Sequence, residues 1–290
     1  MFDLIVIGGL GVDIRAQVPA LPLPAADSLA VPPIELRIGN TGSGVALAAH
    51  ALGLRVALVD VLGADPAGDV VRAALARTSV RTVLVDAPAG TRRSVNMVDP
   101  AGRRMSLYDP RPWAGPPPFA DADLTALVAD AAHVHVSIMD WARDVLPALR
   151  AGLRGAATLS TDLHDWDGEN DYHCPFADAA DLVFVSGVRL GDRAGKLAAG
   201  LAPRTVVVTG GGAGATLHTP ETPSARVPAT TPPGPVIDTN GAGDAFAAGL
   251  IAARLRGATP LDAARYAARV AAAACTHDGM EYPPGLLPRD

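Results

Sequence analysis

The segment Val236-Ile237-Asp238-Thr239-Asn240-Gly241-Ala242-Gly243-Asp244-Ala245-Phe246 sets an apolar run, a turn of small residues and a carboxylate in immediate succession. Gly241, Ala242 and Gly243 carry too little side chain to block their own amides, so several N–H groups can converge on one point. A helix expected from about Ala242 to Arg256 adds the positive end of its dipole there. An anion that gains charge during a reaction is stabilised by such a turn. Asp244, in the first helical turn beside that anion, is placed to take the proton of a hydroxyl as it attacks a phosphoryl group. An acidic residue at a helix start also has a plain dipole benefit. The combination with the three-residue turn favours the chemical role.

These residues need a scaffold that brings strand ends together, and the rest of the chain supplies its pattern. Short runs rich in Val, Ile and Leu alternate with longer Ala-rich stretches, as in a parallel sheet covered by helices. The strand candidates are Leu4 to Ile7, Val56 to Val59, His133 to Val136, Thr158 to Asp162, Leu182 to Val185 and Thr205 to Thr209. Helical stretches are expected at Ser43 to Leu52, Pro66 to Arg77, Asp121 to Asp130, Trp141 to Gly152 and Pro260 to Thr276. The arrangement is doubly wound, and its ligand site is expected outside the carboxyl ends of the strands. Asp13, Asp162 and Asp244 each follow an apolar strand run, with Asp13 expected at the end of the first. Two segments break the alternation: Arg15 to Ile38, with repeated prolines, and Arg92 to Tyr108, whose strand-like runs flank Asp99-Pro100-Ala101-Gly102. Both read as hairpins or extended pieces outside the main sheet.

The run Asp238-Thr239-Asn240-Gly241-Ala242-Gly243-Asp244 closely resembles the signature of the ribokinase (phosphofructokinase-B type) family of carbohydrate and nucleoside kinases. The resemblance extends over nearly the whole chain, through Gly39-Asn40-Thr41-Gly42-Ser43-Gly44 to the C-terminal helices. It implies one ribokinase-like α/β domain over 1–290, whose mostly parallel doubly wound sheet is flanked by helices. A small β-lid is implied at about 15–38 and 92–108, able to exclude water and to serve as a homodimer interface. It implies transfer of the γ-phosphoryl group of ATP to a hydroxyl, with Mg2+. Asp244 would be the general base, and the amides of Gly241, Ala242 and Gly243 the anion hole.

Residue by residue, the resemblance assigns Asp13 to substrate hydroxyls, two of which a carboxylate can accept at once. Gly39, Asn40, Gly42 and Ser43 correspond to the glycine-rich sugar contact. Gly44 stands where the family commonly has a sugar-binding Asn, so that contact is either missing or supplied by Asn40 or Ser43. Thr209, Gly211 and Gly214, within Val206-Val207-Val208-Thr209-Gly210-Gly211-Gly212-Ala213-Gly214, and Ser186 correspond to the nucleotide side. Asp238 and Asn240 either help hold a monovalent cation such as K+ or brace the turn. The clearest departure is Ser186-Gly187-Val188-Arg189, where many relatives have an Asn-x-x-Glu that organises magnesium. An arginine cannot ligate magnesium but can pair with a phosphate oxygen. The departure leaves a second reading open: a catalytically weak sensor that binds nucleotide and sugar on the same fold.

Other chemistry-bearing residues have simpler readings. His133 and His135 alternate with valines on an apparently buried strand and are expected to be structural. The acidic loop Asp162 to Asp171, with His164, His173 and Cys174, matches no zinc spacing. Cys174 and Cys275, the two cysteines, fit neither a disulfide framework nor a CxxC site. The early glycines lack the full GxGxxG spacing, which counts against a nicotinamide enzyme.

Composition bounds the partners. A net charge of -6 gives no footprint for nucleic acid or an anionic membrane, and no run is long and apolar enough to span a bilayer. A cytoplasmic protein is expected. With 290 residues, 49% hydrophobic, a large α/β core is within reach. The substrate class stays open between sugars and nucleosides, with an unphosphorylated one ranked first because the lid arginines Arg92, Arg93, Arg103 and Arg104 are expected to face solvent.

Overall fold

The computed structural model describes residues 1–289. Its frame is a nine-stranded sheet in the order β13-β12-β11-β10-β9-β8-β1-β4-β5. The strands are β1 Phe2–Ile7, β4 Val56–Leu62, β5 Arg81–Asp86, β8 Ala131–Ser137, β9 Thr158–Asp162, β10 Leu182–Ser186, β11 Thr205–Thr209, β12 Ala215–His218 and β13 Ala225–Val227. The seven from β11 to β5 run parallel, and β12 and β13 close one edge antiparallel. Burial on both faces explains why the central strands read as unbroken apolar runs.

Each sheet face has its own core. Leu4, Val6, Leu58, Phe184 and Val207 point to one side, against α1 (Thr41–Ala51), α2 (Pro66–Leu75), α8 (Ala242–Leu255) and α9 (Pro260–Ala274). Ile5, Ile7, Val134, Leu159 and Val183 point to the other, against α3 (Asp121–Val128), α4 (Asp140–Asp144), α5 (Leu146–Gly152), α6 (Cys174–Ala179) and α7 (Ala194–Gly200). The helix expected over Trp141 to Gly152 is two pieces broken at Val145, because Pro147 lacks the N–H that would bond back to Arg143.

A second, four-stranded sheet stands beside the first in the order β3-β2-β6-β7, formed by β2 Gly11–Gln17, β3 Glu35–Gly39, β6 Arg93–Val98 and β7 Arg104–Asp109. Its outer pairs are antiparallel and its central pair, β2 with β6, is parallel. Asp13 therefore does not end the first strand. β1 stops at Ile7, the chain bends at Gly8 and Gly9, both at positive φ, and Asp13 lies on β2 of the small sheet. The strand pairing divides this sheet cleanly. Asp13, Arg15, Arg37, Ser94, Asn96, Arg104 and Tyr108 share one face, and Ile14, Ala16, Leu36, Val95, Met97, Met105 and Leu107 share the other. Among the described residues, no helix is long and apolar enough to cross a membrane.

Candidate active site

Helix α8 begins without a side-chain cap, whereas Asn40, Asp65 and Thr259 cap α1, α2 and α9. Its N-cap is Gly241 in the left-handed region at φ 76°, and a Cβ there would lie 2.8 Å from Met280 Cγ. Glycine is thus required twice over, by conformation and by space. The Ala242 amide makes only a long 3.3 Å bond to Thr239 O. A turn of this shape leaves first-turn amides for an outside anion.

Asp244 follows in the first turn, 9% exposed. Burial pushes its carboxyl well above the usual carboxylate range, and the negative charges of Asp162 and Asp13 push the same way. The three acids that follow strand runs in the sequence thus converge electrostatically. A Cβ on Gly44 would fall 2.1 Å from Asp244 Oδ2, so the missing side chain at 44 is the space this carboxylate occupies. The starts of α1 and α8 meet at that point. Beneath them the backbone of Gly42 packs on the Gly8–Gly9 bend, with Ser43 N donating to Gly9 O at 3.0 Å.

Asp13 is buried, and its Oδ2 accepts from Asn240 Nδ2 at 2.9 Å. Burial raises its pKa against the lowering effect of that hydrogen bond. Asn240 Oδ1 accepts from Arg104 Nη1 at 3.0 Å, so β2, β7 and the catalytic turn are joined through one amide. A cavity of about 630 Å3 opens here, walled by Asp13, Arg15, Asn96, Arg104, Asp238 and Asn240 among others. Gly39, Asn40, Gly42 and Ser43 are not in its wall. Asn40 caps α1 through Thr41 N at 2.9 Å, Gly39 lies against Asp13, and Ser43 is fully buried with its hydroxyl unpartnered.

On the nucleotide side, Ser186 and Thr209 are register partners at the carboxyl ends of β10 and β11. Gly211 and Gly214 follow at positive φ, and a Cβ at Gly214 would fall 2.2 Å from Val227 O. Arg189 is 3.7 Å from both Asp165 and Asp167, so the acidic loop already draws its charge. Among the described residues no group of His, Cys, Asp and Glu is gathered to hold a metal. A divalent ion here would take most of its oxygen ligands from phosphates and water.

The monovalent-cation positions have committed donors. Asp238 Oδ1 accepts from Asn240 N at 2.9 Å, and its Oδ2 is paired with Arg15 Nη1 at 3.2 Å. Sequence reasoning gave Arg15 no role and expected Arg104 only to face solvent, whereas the alternation of β2 and β7 sets Arg15 with Asp13, and Arg104 with Tyr108, on one face. Not all lid arginines face solvent. Arg92 is 3% exposed on Asp60 and Arg93, paired with Asp65, is half-buried, whereas Arg103 and Arg104 are exposed as expected. His133 and His135 are buried in a hydrogen-bonded row with Thr158 and Ser160, and burial lowers both to about 3.

The sequence profile described as "pfkB family carbohydrate kinase" matches residues 1–152 and 171–284. The chain is 43% identical to the acarbose 7(IV)-phosphotransferase of an Actinoplanes species over 278 residues, 94% of this chain and 92% of that one. Among solved structures, a microbiome-derived acarbose kinase superposes with a TM-score of 0.84 at 42% identity, covering 96% of this chain and 95% of that one. Ribokinase of Arabidopsis thaliana, solved with ribose and ATP, gives 0.81 at 20% identity over 99% and 96% of the two chains, a likeness of fold.

Proposed function

The chain belongs to the pfkB family of carbohydrate kinases, which transfer a phosphoryl group from ATP to a sugar hydroxyl, and from that premise we propose that its substrate is an extended, acarbose-like oligosaccharide. The observation that carries the substrate class is the cavity of about 630 Å3 beside Asp13 and Asn240, which is broad for a single sugar ring and reaches outward between the small sheet and residues 236–240. The 42–43% identity to an acarbose phosphotransferase and an acarbose kinase supports the same reading.

In this reading the small sheet is the lid of a single unit spanning 1–290. Asp13 accepts hydrogen bonds from sugar hydroxyls once Asn240 yields its bond, and Asp244 takes the proton of the attacking hydroxyl. Its depressed acidity makes it a better base than a free aspartate, and its active form is the ionised one. The amides of Gly241, Ala242 and Gly243 offset the charge gathering on the transferred group. Ser186, Thr209, Gly211 and Gly214 border the nucleotide. Magnesium bound with ATP would neutralise phosphate charge, taking most of its ligands from phosphates and water. The apolar lid face, with Leu36, Met105 and Leu107 each about half exposed, suits a homodimer formed lid to lid.

The test is ADP release with Mg-ATP on acarbose, maltotetraose, ribose, fructose and adenosine, comparing wild type with Asp244→Asn. Turnover is expected on acarbose, with a loss of about 10²–10⁴ in the variant. Preference for ribose or adenosine would overturn the substrate class. Binding of ATP and sugar without turnover would favour the sensor reading raised by Ser186 and Arg189.

A further inference from the structure

We propose that the guanidinium of Arg15 is a built-in cation that holds the Asp238 end of the catalytic turn, so that phosphoryl transfer needs no added monovalent metal ion. The inference rests on the kinase reading above.

Arg15 lies on β2 of the lid, on the face shared with Asp13, and reaches across to the core. Its Nη1 lies 3.2 Å from Asp238 Oδ2 and also contacts Asp278 Oδ1. Its Nη2 lies 3.5 Å from the carbonyl of Ile237. One guanidinium therefore faces two carboxylates and a main-chain oxygen, a donor set that would otherwise suit an alkali ion. The remaining Asp238 oxygen is taken by the Asn240 amide, while the amides of Ile237 and Asp238 donate to Cys275 O at 2.8 and 3.2 Å. A metal ion at Asp238 would have to displace the guanidinium or sit against its positive charge.

The second lid arginine fixes the geometry of the first. Arg37 Nη2 donates to Asp278 Oδ2 at 2.8 Å, so the two oxygens of Asp278 hold one guanidinium each. The hydrogen bond from Arg37 keeps the Asp278 carboxyl below its ordinary range. Arg15 Nε is buried without a partner, at the edge of the same cavity.

The arrangement makes Arg15 a positioning residue. It orients Asp238, Asp238 orients the Asn240 amide, and Asn240 leads directly into Gly241 at the helix start. Because the cation arrives on the lid, the turn is ordered when the lid is down.

The experiment measures rates of the full chain on its best sugar at constant ionic strength, in tetramethylammonium, sodium, potassium and caesium chlorides. Wild type is expected to vary by no more than about twofold. Arg15→Met is expected to lose about ten- to a hundredfold in kcat, with KM for ATP less affected. Added K+ or guanidinium should restore part of that loss, and Arg15→Lys should retain more activity than Arg15→Met. In parallel, the melting temperature without substrates should show no K+-specific rise in wild type and should gain one in Arg15→Met. Saturable K+ activation of wild type, a K+-specific rise in its melting temperature, or full activity of Arg15→Met without added cation would each overturn the proposal. If no sugar is turned over, the kinase reading fails, while the melting arm still reports on the cation.

Discussion

The small sheet is tied to the core by ion pairs at two places, and the surroundings give the same chemistry opposite character. At the inner place Arg92 Nη1 lies 3.0 and 3.1 Å from the two oxygens of Asp60, which also accept from Leu10 N, Val61 N and Trp141 Nε1. Both partners are out of water, at 3% and 0% exposure. At the outer place Arg15 and Arg37 meet Asp238 and Asp278, and the Asp278 side chain is 41% exposed. Opening the inner pair would strand a charge in a low-dielectric interior, whereas opening the outer pairs at Asp278 returns a carboxylate already 41% exposed to water. The inner pair is thus an anchor of the small sheet and the outer one a latch.

The contrast can be broken most directly at Asp60. Asp60→Asn is expected to cost about 3–5 kcal/mol in urea unfolding, with little dependence on salt. The double change Asp60→Leu with Arg92→Met should recover much of that loss, since no lone charge is left behind. Failure to recover would mean that the three other hydrogen bonds of Asp60, not the charge pair, set the anchor's strength.

Comparable in size is the acid response of the central-sheet core. His133 and His135 have folded pKa values lowered to about 3 by burial, below the ordinary value of about 6.5. The folded state then binds fewer protons than the unfolded state between these limits. Stability is complete above pH about 6.5 and falls as the pH drops toward 3, by at most about 1.4 kcal/mol per pH unit for each histidine. Urea midpoints between pH 7 and 4.5 should decline accordingly, and less so in His133→Asn. The latch should hold through this range, because Asp278 stays ionised below the usual carboxylate range. Its own contribution is lost only as the pH falls through that lowered value.

Smallest in stability is the latch itself. Asp278→Asn is expected to cost no more than about 1 kcal/mol, and 1 M salt should reproduce part of it in wild type. Its effect on kcat should exceed what that stability change accounts for. Hydrogen exchange of the β2 and β3 amides should quicken in the variant while β6, next to Arg92, stays protected.

The order of these effects also marks what the sequence could and could not convey. Strands such as β10 and β11 were legible because burial on both faces makes them continuous apolar runs, so Thr205–Thr209 matches residue for residue and Leu182 to Val185 falls one residue short. The edge strand Arg81–Asp86 was not read, since its half-exposed residues and terminal charges blur the period. β12 and β13, at four and three residues, are too short to show one. The cluster around Asp244 was read from composition and spacing because its chemistry is local: a glycine turn and the next helical turn. At the cavity the small sheet was read correctly only at Asp13, because the facing of Arg15 and Arg104, the latter expected only in solvent, depends on pairing between distant segments. Gly44 looked like a lost substrate contact. In three dimensions its bare Cα makes room for the Asp244 carboxylate.

The alternation of the small sheet has a consequence for how such a protein can change over time. On β2, residues 13, 15 and 17 belong to the face shared with the cavity, and 14 and 16 to the opposite one. Two selective pressures can therefore act on the same few codons without interfering. Drift at Ile14, Leu36 or Leu107 adjusts what the outer surface tolerates, while a change at Asn96 or Arg104 alters the wall of the cavity. A lineage could acquire a new substrate and keep its outer surface, or the reverse, through single replacements one position apart.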